Sequence, residues 1–290
     1  MKSLLSLISA WRPAQANRLA LIGSLAAMTL ILVALFAPAI CPYPYDEQNL
    51  PERLSMPSLS HWFGTDELGR DIFSRVLYGT RISMLVGLTV VLFSSIFGLG
   101  VGCLAGYYGR WLDEIIMRIV DVLMAFPGIL LAIALVAFWG PGLEKMILAL
   151  VTVGWVGYAR LVRGQILKVK ELDFVRAARS LGASDFRIIL HHLIPNIIQP
   201  VLVQASIGMA GAILAEASLS FLGLGVPPPM PSWGTMLNDG RSHLFDAAHL
   251  VLFPGLATML AVLSFNFLGD GLRESLNPKH QTLELKVPRS

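Results

Sequence analysis

Gly182-Ala183-Ser184, with His191 and His192 downstream, is the pattern in this chain nearest to covalent catalysis. A nucleophilic serine needs a base, and a G-x-S-x-G turn needs its second glycine to present the hydroxyl. Phe186 stands where that glycine belongs. The two histidines also make a poor metal pair, because adjacent residues on a helix point about 100° apart and one ion cannot readily use both. The sequence contains no G-x-x-x-x-G-K-[ST] phosphate cradle and no H-E-x-x-H zinc signature. These residues therefore predict no ATP hydrolysis by the chain itself, no catalytic residue and no metal site. The eleven methionines are scattered through apolar stretches and read as packing.

The same segment makes better sense as a mechanical element. Residues 172–196 read LDFVRAARSLGASDFRIILHHLIPN. Phe174, Ala178 and Leu181 recur on one helical face, with Val175 beside them. Gly182 suits the left-handed conformation that ends a helix. Ser184 then reads as the cap of a second helix with Asp185 in its first turn. Phe186, Ile189 and Leu193 continue as an apolar stripe, and Pro195 is expected to stop it. A basic, apolar helix–turn–helix of this kind suits insertion into a groove on a partner protein.

The rest of the chain must position that element. Of 290 residues 55% are hydrophobic and only 14% charged, against about 25% charged in a typical soluble domain. This composition predicts an all-α, multi-span membrane protein. Six spans are expected: Leu19–Ile40, Ile82–Cys103, Val122–Trp139, Met146–Val162, Ile197–Ala215 and Leu250–Leu268. Most are long enough to cross about 30 Å of hydrocarbon. The third is expected to begin nearer Ile115, with Arg118 and Asp121 paired at the membrane edge, and Pro127, Pro200 and Pro254 are expected to kink their spans. The first apolar run, which ends in Ala37-Pro38-Ala39, exceeds a signal-peptide core and reads as a retained helix.

Basic residues set the orientation. With the amino terminus inside, the inner segments hold most of the Lys and Arg, including Lys2, Arg12, Arg110, Arg160, Arg163, Arg176, Arg179, Arg187, Lys279, Lys286 and Arg289. The positive-inside rule then predicts both termini and the 172–196 element in the cytoplasm. The organisation follows: 1–18, a cytoplasmic segment; 19–40, the first span; 41–81, an extracytoplasmic loop with an amphipathic helix; 82–272, a five-helix core containing the 172–196 loop; 273–290, a cytoplasmic tail. The net charge of only +3, spread over short loops, argues against nucleic acid as a partner. Cys41 and Cys103 fall at opposite ends of their spans, beyond disulfide reach.

In the 41–81 loop, Thr65 reads as an N-cap with Asp66 and Glu67 in the first turn, followed by Leu68, Ile72 and Val76 on one face. Such a helix either lies on the protein at the membrane surface or touches an external partner. Residues 219–226 are too short to span and read as a re-entrant or interfacial segment, with Trp233 at headgroup level. Glu216 reads as lining a gate or as a solvated helix end. Gln199, Gln204, Ser264 and Asn266 (with Ser206) are the candidates to line a path. Helix–helix hydrogen bonding explains any one of them equally well.

The chain also resembles a known family. The cytoplasmic signature E-A-A-x3-G-x9-I-x-L-P of ATP-binding-cassette importer permeases is matched at Ala177, Ala178, Gly182 and Pro195, with Arg176, His192 and Ile194 replacing its Glu, Ile and Leu. HWFGTDELGRDIFSR (61–75), MRIVDVLMAFPGILLAIAL (117–135), SLSFLGLG (218–225), PSWGTMLNDGR (231–241) and FNFLGDGLRESLNPK (265–279) are similar to the DppC/OppC-type permeases of the dipeptide, oligopeptide and nickel group. The resemblance implies a type I importer permease fold in a bacterial inner membrane. It implies a sister permease forming a heterodimer, two cytoplasmic ATPases that use ATP and Mg, and an extracytoplasmic solute-binding protein, with no cofactor on this chain. It assigns ATPase coupling to Phe174, Arg176, Ala177, Ala178, Arg179, Gly182, Ala183, Ser184 and Pro195. The substrate expected is a di- or oligopeptide, with nickel or a metal chelate as the alternative. An ion-coupled secondary transporter would require ionisable residues near the bilayer midplane. A membrane hydrolase would require the nucleophile–base pair that the 182–192 segment lacks.

Overall fold

A computed structural model describes residues 18–275. The expectations for the amino-terminal segment and the carboxy-terminal tail, including Lys2, Arg12, Asn277, Lys279, Lys286 and Arg289, fall outside the described residues. Among those residues the architecture is helical. Helix α1 (Arg18–Ile40) is followed by an irregular loop with a single 3-10 turn, Leu50–Glu52. Then come α2 (Ile72–Tyr108), α3 (Arg110–Ala125), α4 (Gly128–Trp139), α5 (Leu143–Val169), α6 (Asp173–Ser180) and α7 (Asp185–Ile188). A π-helical turn, Ile189–Leu193, leads into α8 (Ile194–Phe221), and α9 (Trp233–Gly240) and α10 (His249–Ser275) complete the described residues. Five helical stretches are long and apolar enough to cross a membrane, six if the bent pair α3–α4 counts as one span.

Helix α2 is the axis of the bundle. At about 1.5 Å per residue its 37 residues extend about 55 Å, well beyond the hydrocarbon core. The amphipathic helix expected within 41–81 is not a separate element: residues 72–81 are the first turns of α2. Its cap is Asp71, whose Oδ2 accepts from the Ser74 N–H at 2.8 Å, and not Thr65. Thr65 is engaged elsewhere, accepting from the Ser55 N–H at 2.9 Å and donating to the Glu52 carbonyl. Asp66 likewise folds the 66–70 backbone into a turn by accepting from the N–H groups of Leu68 and Arg70.

The most extensive helix–helix contact is α2 against α5. Gly98, Gly102 and Gly106 lie one turn apart on the facing side of α2. A Cβ at these positions would stand 2.5 Å from Tyr158 Cβ, 2.6 Å from the Ala159 carbonyl and 2.8 Å from Ile166 Cβ. Small residues at this spacing let two backbones approach, which in lipid replaces the hydrophobic drive lost between equally apolar partners.

The expected third span is not one kinked helix but two. Helices α3 and α4 meet at 87°. Pro127 is the cause, because a proline drives the preceding residue out of the helical region, and Phe126 is extended at φ −94°, ψ 139°. Helix α4, at about 18 Å, is too short to cross alone. Pro200 and Pro254, by contrast, sit inside continuous helices. The expected Arg118–Asp121 pair does not form. Arg118 approaches Glu114 at 3.5 Å, Asp121 pairs with Arg160 of α5, and Asp113 of α3 holds Arg163 of α5 through two bonds of 2.5 and 2.6 Å. The charges of α3 therefore clamp it to α5.

The end of the bundle that carries the 41–71 loop differs from expectation. Residues 219–221 are the last turn of α8, with Leu219 buried, and 222–226 continue as an irregular loop. Trp233 is fully buried and donates its indole N–H to the Val76 carbonyl at 3.0 Å. Glu216 is neither solvated nor at a surface: it is fully buried and accepts from Ser83 Oγ and Ser220 Oγ, each at 2.8 Å. It thereby ties α8 to α2. The loop itself is organised around His61, whose Nδ1 lies 2.9 Å from Asp71 and whose Nε2 lies 3.2 Å from Glu52.

Two predictions follow from this packing. Gly102→Val inserts two methyl groups where none fits, and overpacking of this kind costs about 1–3 kcal/mol; a lowered melting temperature of the purified subunit checks it. Burial pushes the His61 imidazole down, but its bonds to Asp71 and Glu52 outweigh that and hold it above the ordinary histidine value. Its stabilising contribution is thus complete below the unfolded value of about 6.5 and is lost as pH rises through the raised folded value. The melting-temperature gap between wild type and His61→Gln should be wider below that unfolded value than above the raised folded one.

Candidate functional site

The 172–196 segment lies at the other end of α2. Helix α6 starts after extended Leu172 and ends at Gly182, where φ is +81°, the left-handed conformation expected. The Ala183 N–H donates to the Ala178 carbonyl at 3.1 Å and the Gly182 N–H to Arg179 at 3.0 Å, which closes the helix end. Ser184 caps α7 as expected, its Oγ accepting from the Arg187 N–H at 3.4 Å. Among the described residues no hydrogen bond joins Ser184 to His191 or His192, so the hydrolase arrangement is not assembled.

Pro195 does not stop the helix. The Ile194 N–H reaches back five residues to the Ile189 carbonyl, and this wider turn accommodates a proline that would otherwise press on the carbonyl of residue 191. Helical structure therefore runs unbroken from Asp185 to Phe221. The apolar stripe is also divided differently. Ile188 and Leu193 are buried, while Phe186 is 73% exposed. On α6 Val175 is buried, whereas Phe174 and Leu181 are exposed and Ala178 is partly covered.

Two kinds of anchor hold the segment to the bundle. Val175, Ile188, Leu193 and Ile197 form one apolar cluster with Cys103 and Tyr107 of α2 and Val162 and Ile166 of α5. At its edge the Tyr107 hydroxyl donates to Asp185 of α7 at 2.5 Å and accepts from Arg179 of α6 at 3.2 Å. The Arg179 guanidinium carbon also stands 5.4 Å from the Tyr107 ring centre, within cation–π range. One phenol thus holds both short helices against the end of α2. Arg176 points elsewhere, pairing with Glu171 at 2.8 Å. Outside these anchors the segment presents Leu172, Phe174, Ala177, Leu181 and Phe186 to its surroundings.

Midway along the bundle is a cavity of about 240 Å³, lined by residues that include Ser94 of α2, Tyr158 of α5, and Gln204 and Gly211 of α8. Gln204 was a path candidate from sequence. Gln199, Ser264 and Asn266 are not among the lining residues: Gln199 is exposed and Ser264 donates to the Leu260 carbonyl of its own helix at 2.5 Å. Tyr107, Ser94 and Tyr158 were not singled out from sequence. A tyrosine at a span end reads as an interfacial anchor, and isolated hydroxyls within a span read as helix contacts.

Comparison with known proteins gives consistent matches. Residues 98–281 match the family described as binding-protein-dependent transport system inner membrane component. Residues 7–57 match the N-terminal TM domain of oligopeptide transport permease C. The chain is 48% identical to the dipeptide transport system permease protein DppC of Alkalihalophilus pseudofirmus, over 94% of this chain and 91% of the relative. It is 47% identical to the glutathione transport system permease protein GsiD of Pectobacterium atrosepticum, over 93% and 90%. An inward-facing structure of the MetNI methionine ABC transporter superposes with a TM-score of 0.59, covering 71% of this chain and 98% of that one; at 18% identity it shows a shared fold.

The Tyr107 anchor is open to test. Tyr107→Phe removes a donor to one charged group and an acceptor from another, worth about 1.5–3 kcal/mol for bonds of this kind. Hydrogen exchange at amides 175–188 is expected to accelerate by about tenfold or more, while the spans stay protected.

Proposed function

This chain belongs to the family of binding-protein-dependent transport system inner membrane components, and from that premise we propose that it forms half of the membrane path of an ATP-driven importer of short peptides. The observation that carries the coupling role is the 172–196 segment: exposed apolar side chains on two short helices, rigidly tied to α2 and continuous with α8. The relatives named for dipeptide and glutathione transport favour a peptide cargo over nickel or a metal chelate. An ion-coupled mechanism has less support, since no charged side chain among the described residues lines the central cavity.

The other half of the path belongs to a sister permease. Two separate ATPase subunits use ATP and Mg, and this chain binds neither. Phe174, Ala177, Leu181 and Phe186 seat in a groove on one ATPase. Ala178, Ala183 and Gly182 keep the two helices close, Arg176 and Arg179 supply the basic rim and the anchor, and Ser184 and Pro195 fix where α7 begins and how it joins α8. The segment and both termini face the cytoplasm, in accord with the positive-inside rule. The 41–71 loop then faces outward, where a solute-binding protein delivers cargo.

Motion follows from the geometry. A push on α7 passes through the π-helical turn into α8 without a hinge of loop structure, and α8 carries Gln204 and Gly211 of the cavity wall. The Tyr107 anchor transmits the same push to α2, which carries Ser94. ATP-driven closure of the ATPases would thus move two walls of the cavity together, a rigid-element switch between inward-open and outward-open states.

The test is reconstitution of the whole complex with Phe186→Asp. The side chain is exposed, so the subunit should fold normally, but a carboxylate cannot enter an apolar groove without a large desolvation cost. Uptake and ATPase stimulation by the binding protein are expected to fall by more than about tenfold, or 1.4 kcal/mol. Gly182→Pro, which cannot adopt φ +81°, should do the same. Wild-type uptake in both variants would remove the coupling role from this segment.

A further inference from the structure

A second, larger space lies at the loop end of the bundle. It is a cleft of about 540 Å³, within the about 300–1,000 Å³ of small-molecule sites. Its walls are the 66–70 turn, the first turn of α2, the end of α9 and the loop that follows α8. Ser220 of α8 lines it, and Ala215 of the same helix lines the central cavity. Along that helix the two spaces are about 7.5 Å apart.

Unlike the central cavity, the cleft is lined by charges of both signs: Asp66, Glu67 and Asp239 with Arg70 and Arg75. They are not matched one to one. Asp66 serves both arginines, its Oδ2 standing 2.6 Å from Arg70 Nε and 3.5 Å from Arg75 Nε. Arg75 also donates to the Tyr45 carbonyl at 3.2 Å, and Glu67 is engaged by His243 at 2.9 Å. Arg70 spends only its Nε. Its two terminal nitrogens make no hydrogen bond with the described residues, and they are not sealed inside the protein. Asp239 is exposed, and its carboxylate makes neither a hydrogen bond nor an ion pair with the described residues. Both arginines are nevertheless near enough to act on it electrostatically.

That carboxylate is placed against its own interest. It lies in the last turn of α9, where the helix dipole disfavours negative charge, and within the field of Asp66 and Glu67. Its mounting is rigid: α9 begins with a complete capping box and is anchored by buried Trp233. Arg70 is mounted as firmly, because Asp66 fixes the 66–70 turn through two backbone N–H groups. A guanidinium edge and a carboxylate therefore share one open space without closing on each other. A molecule with separated opposite charges completes both: its carboxylate accepts from the terminal nitrogens of Arg70, and its ammonium donates to Asp239. Val226, Pro227, Met230 and Leu250 offer an apolar wall beside them.

Resting on the importer reading above, we propose that this cleft binds the free termini of a short zwitterionic peptide, carboxylate on Arg70 and ammonium on Asp239, as the peptide enters the membrane domain. The site recognises the two ends and leaves the side chains to the apolar wall. A peptide blocked at either end loses one of the two charge-assisted contacts.

The experiment uses the complete permease–ATPase complex in nanodiscs without binding protein, so that selection by the binding protein does not enter. Saturation-transfer NMR is read on dialanine and on N-acetyl-dialanine amide, which lacks both charges. Dialanine is expected to give a signal about tenfold stronger than the blocked probe. Asp239→Asn and Arg70→Lys should each reduce the dialanine signal about fivefold or more and leave the weak signal of the blocked probe alone. The melting temperature of Asp239→Asn should hold, because the carboxylate has no bonded partner to lose; a merely structural carboxylate would move stability and not the difference between probes. In proteoliposomes with saturating binding protein, the same two variants should lower dialanine uptake per ATP hydrolysed about 5- to 30-fold. Equal signals from the two probes, or wild-type signals and uptake in both variants, overturn the site and leave the importer reading intact. Failure of the wild-type complex to take up dialanine overturns the peptide reading and the site with it.

Discussion

The glycine seam between α2 and α5 is the constraint on which the rest depends. Three glycines one turn apart let the two backbones meet where a single methyl group on any of them would clash. Helices in lipid gain nothing from hiding apolar surface against one another, so closeness of packing must supply the association. The seam fixes more than this one pair. Gly98 abuts Tyr158, a residue of the central cavity wall, and Gly106 abuts Ile166, a member of the cluster that seats Val175 and Ile188. The same contact therefore sets both the cavity and the base of the 172–196 segment.

Polar groups in this protein divide into two populations with different energetics. At the loop end most are mutually satisfied, with the buried His249 Nδ1 an exception: Glu216 with Ser83 and Ser220, Trp233 with the Val76 carbonyl, His61 with Asp71 and Glu52. Satisfied networks rigidify, and here they join α2, α8 and the loop after α1 into one cap. At mid-depth Ser94 and Tyr158 are not satisfied within the protein.

The Tyr107 anchor shows how little chemistry a lever requires. One phenol, donating to Asp185 and accepting from Arg179, converts two short helices into a single body. Neither helix would be stable alone, since isolated helices shorter than about 12–15 residues are marginal in water. Their order comes from Val175, Ile188 and Leu193 beneath and from Tyr107 at the edge. This leaves Phe174, Leu181 and Phe186 free to face outward at no cost to the fold.

The sequence by itself determined the all-α class, the apolar centres of the long spans though not their ends (α2 starts at Ile72, ahead of the expected Ile82), the Gly182 turn and the Ser184 cap. Each of these rests on local physics: a run of apolar residues long enough for hydrocarbon, a backbone angle that suits glycine, a hydroxyl placed to meet a free N–H. Tertiary structure decided what local rules leave open. Thr65 and Asp71 are both chemically fit to cap a helix, and only the 52–55 segment, by engaging Thr65, leaves Asp71 to start α2. A proline can stop, kink or ride within a helix, and Pro127, Pro195 and Pro200 met three different outcomes according to their neighbours. Glu216 and Trp233 read as surface residues until serines and a carbonyl from distant helices satisfied them in the interior. Which hydroxyls would remain without a partner was likewise invisible in the chain, because being unpaired is a property of three helices meeting and not of any residue in one of them.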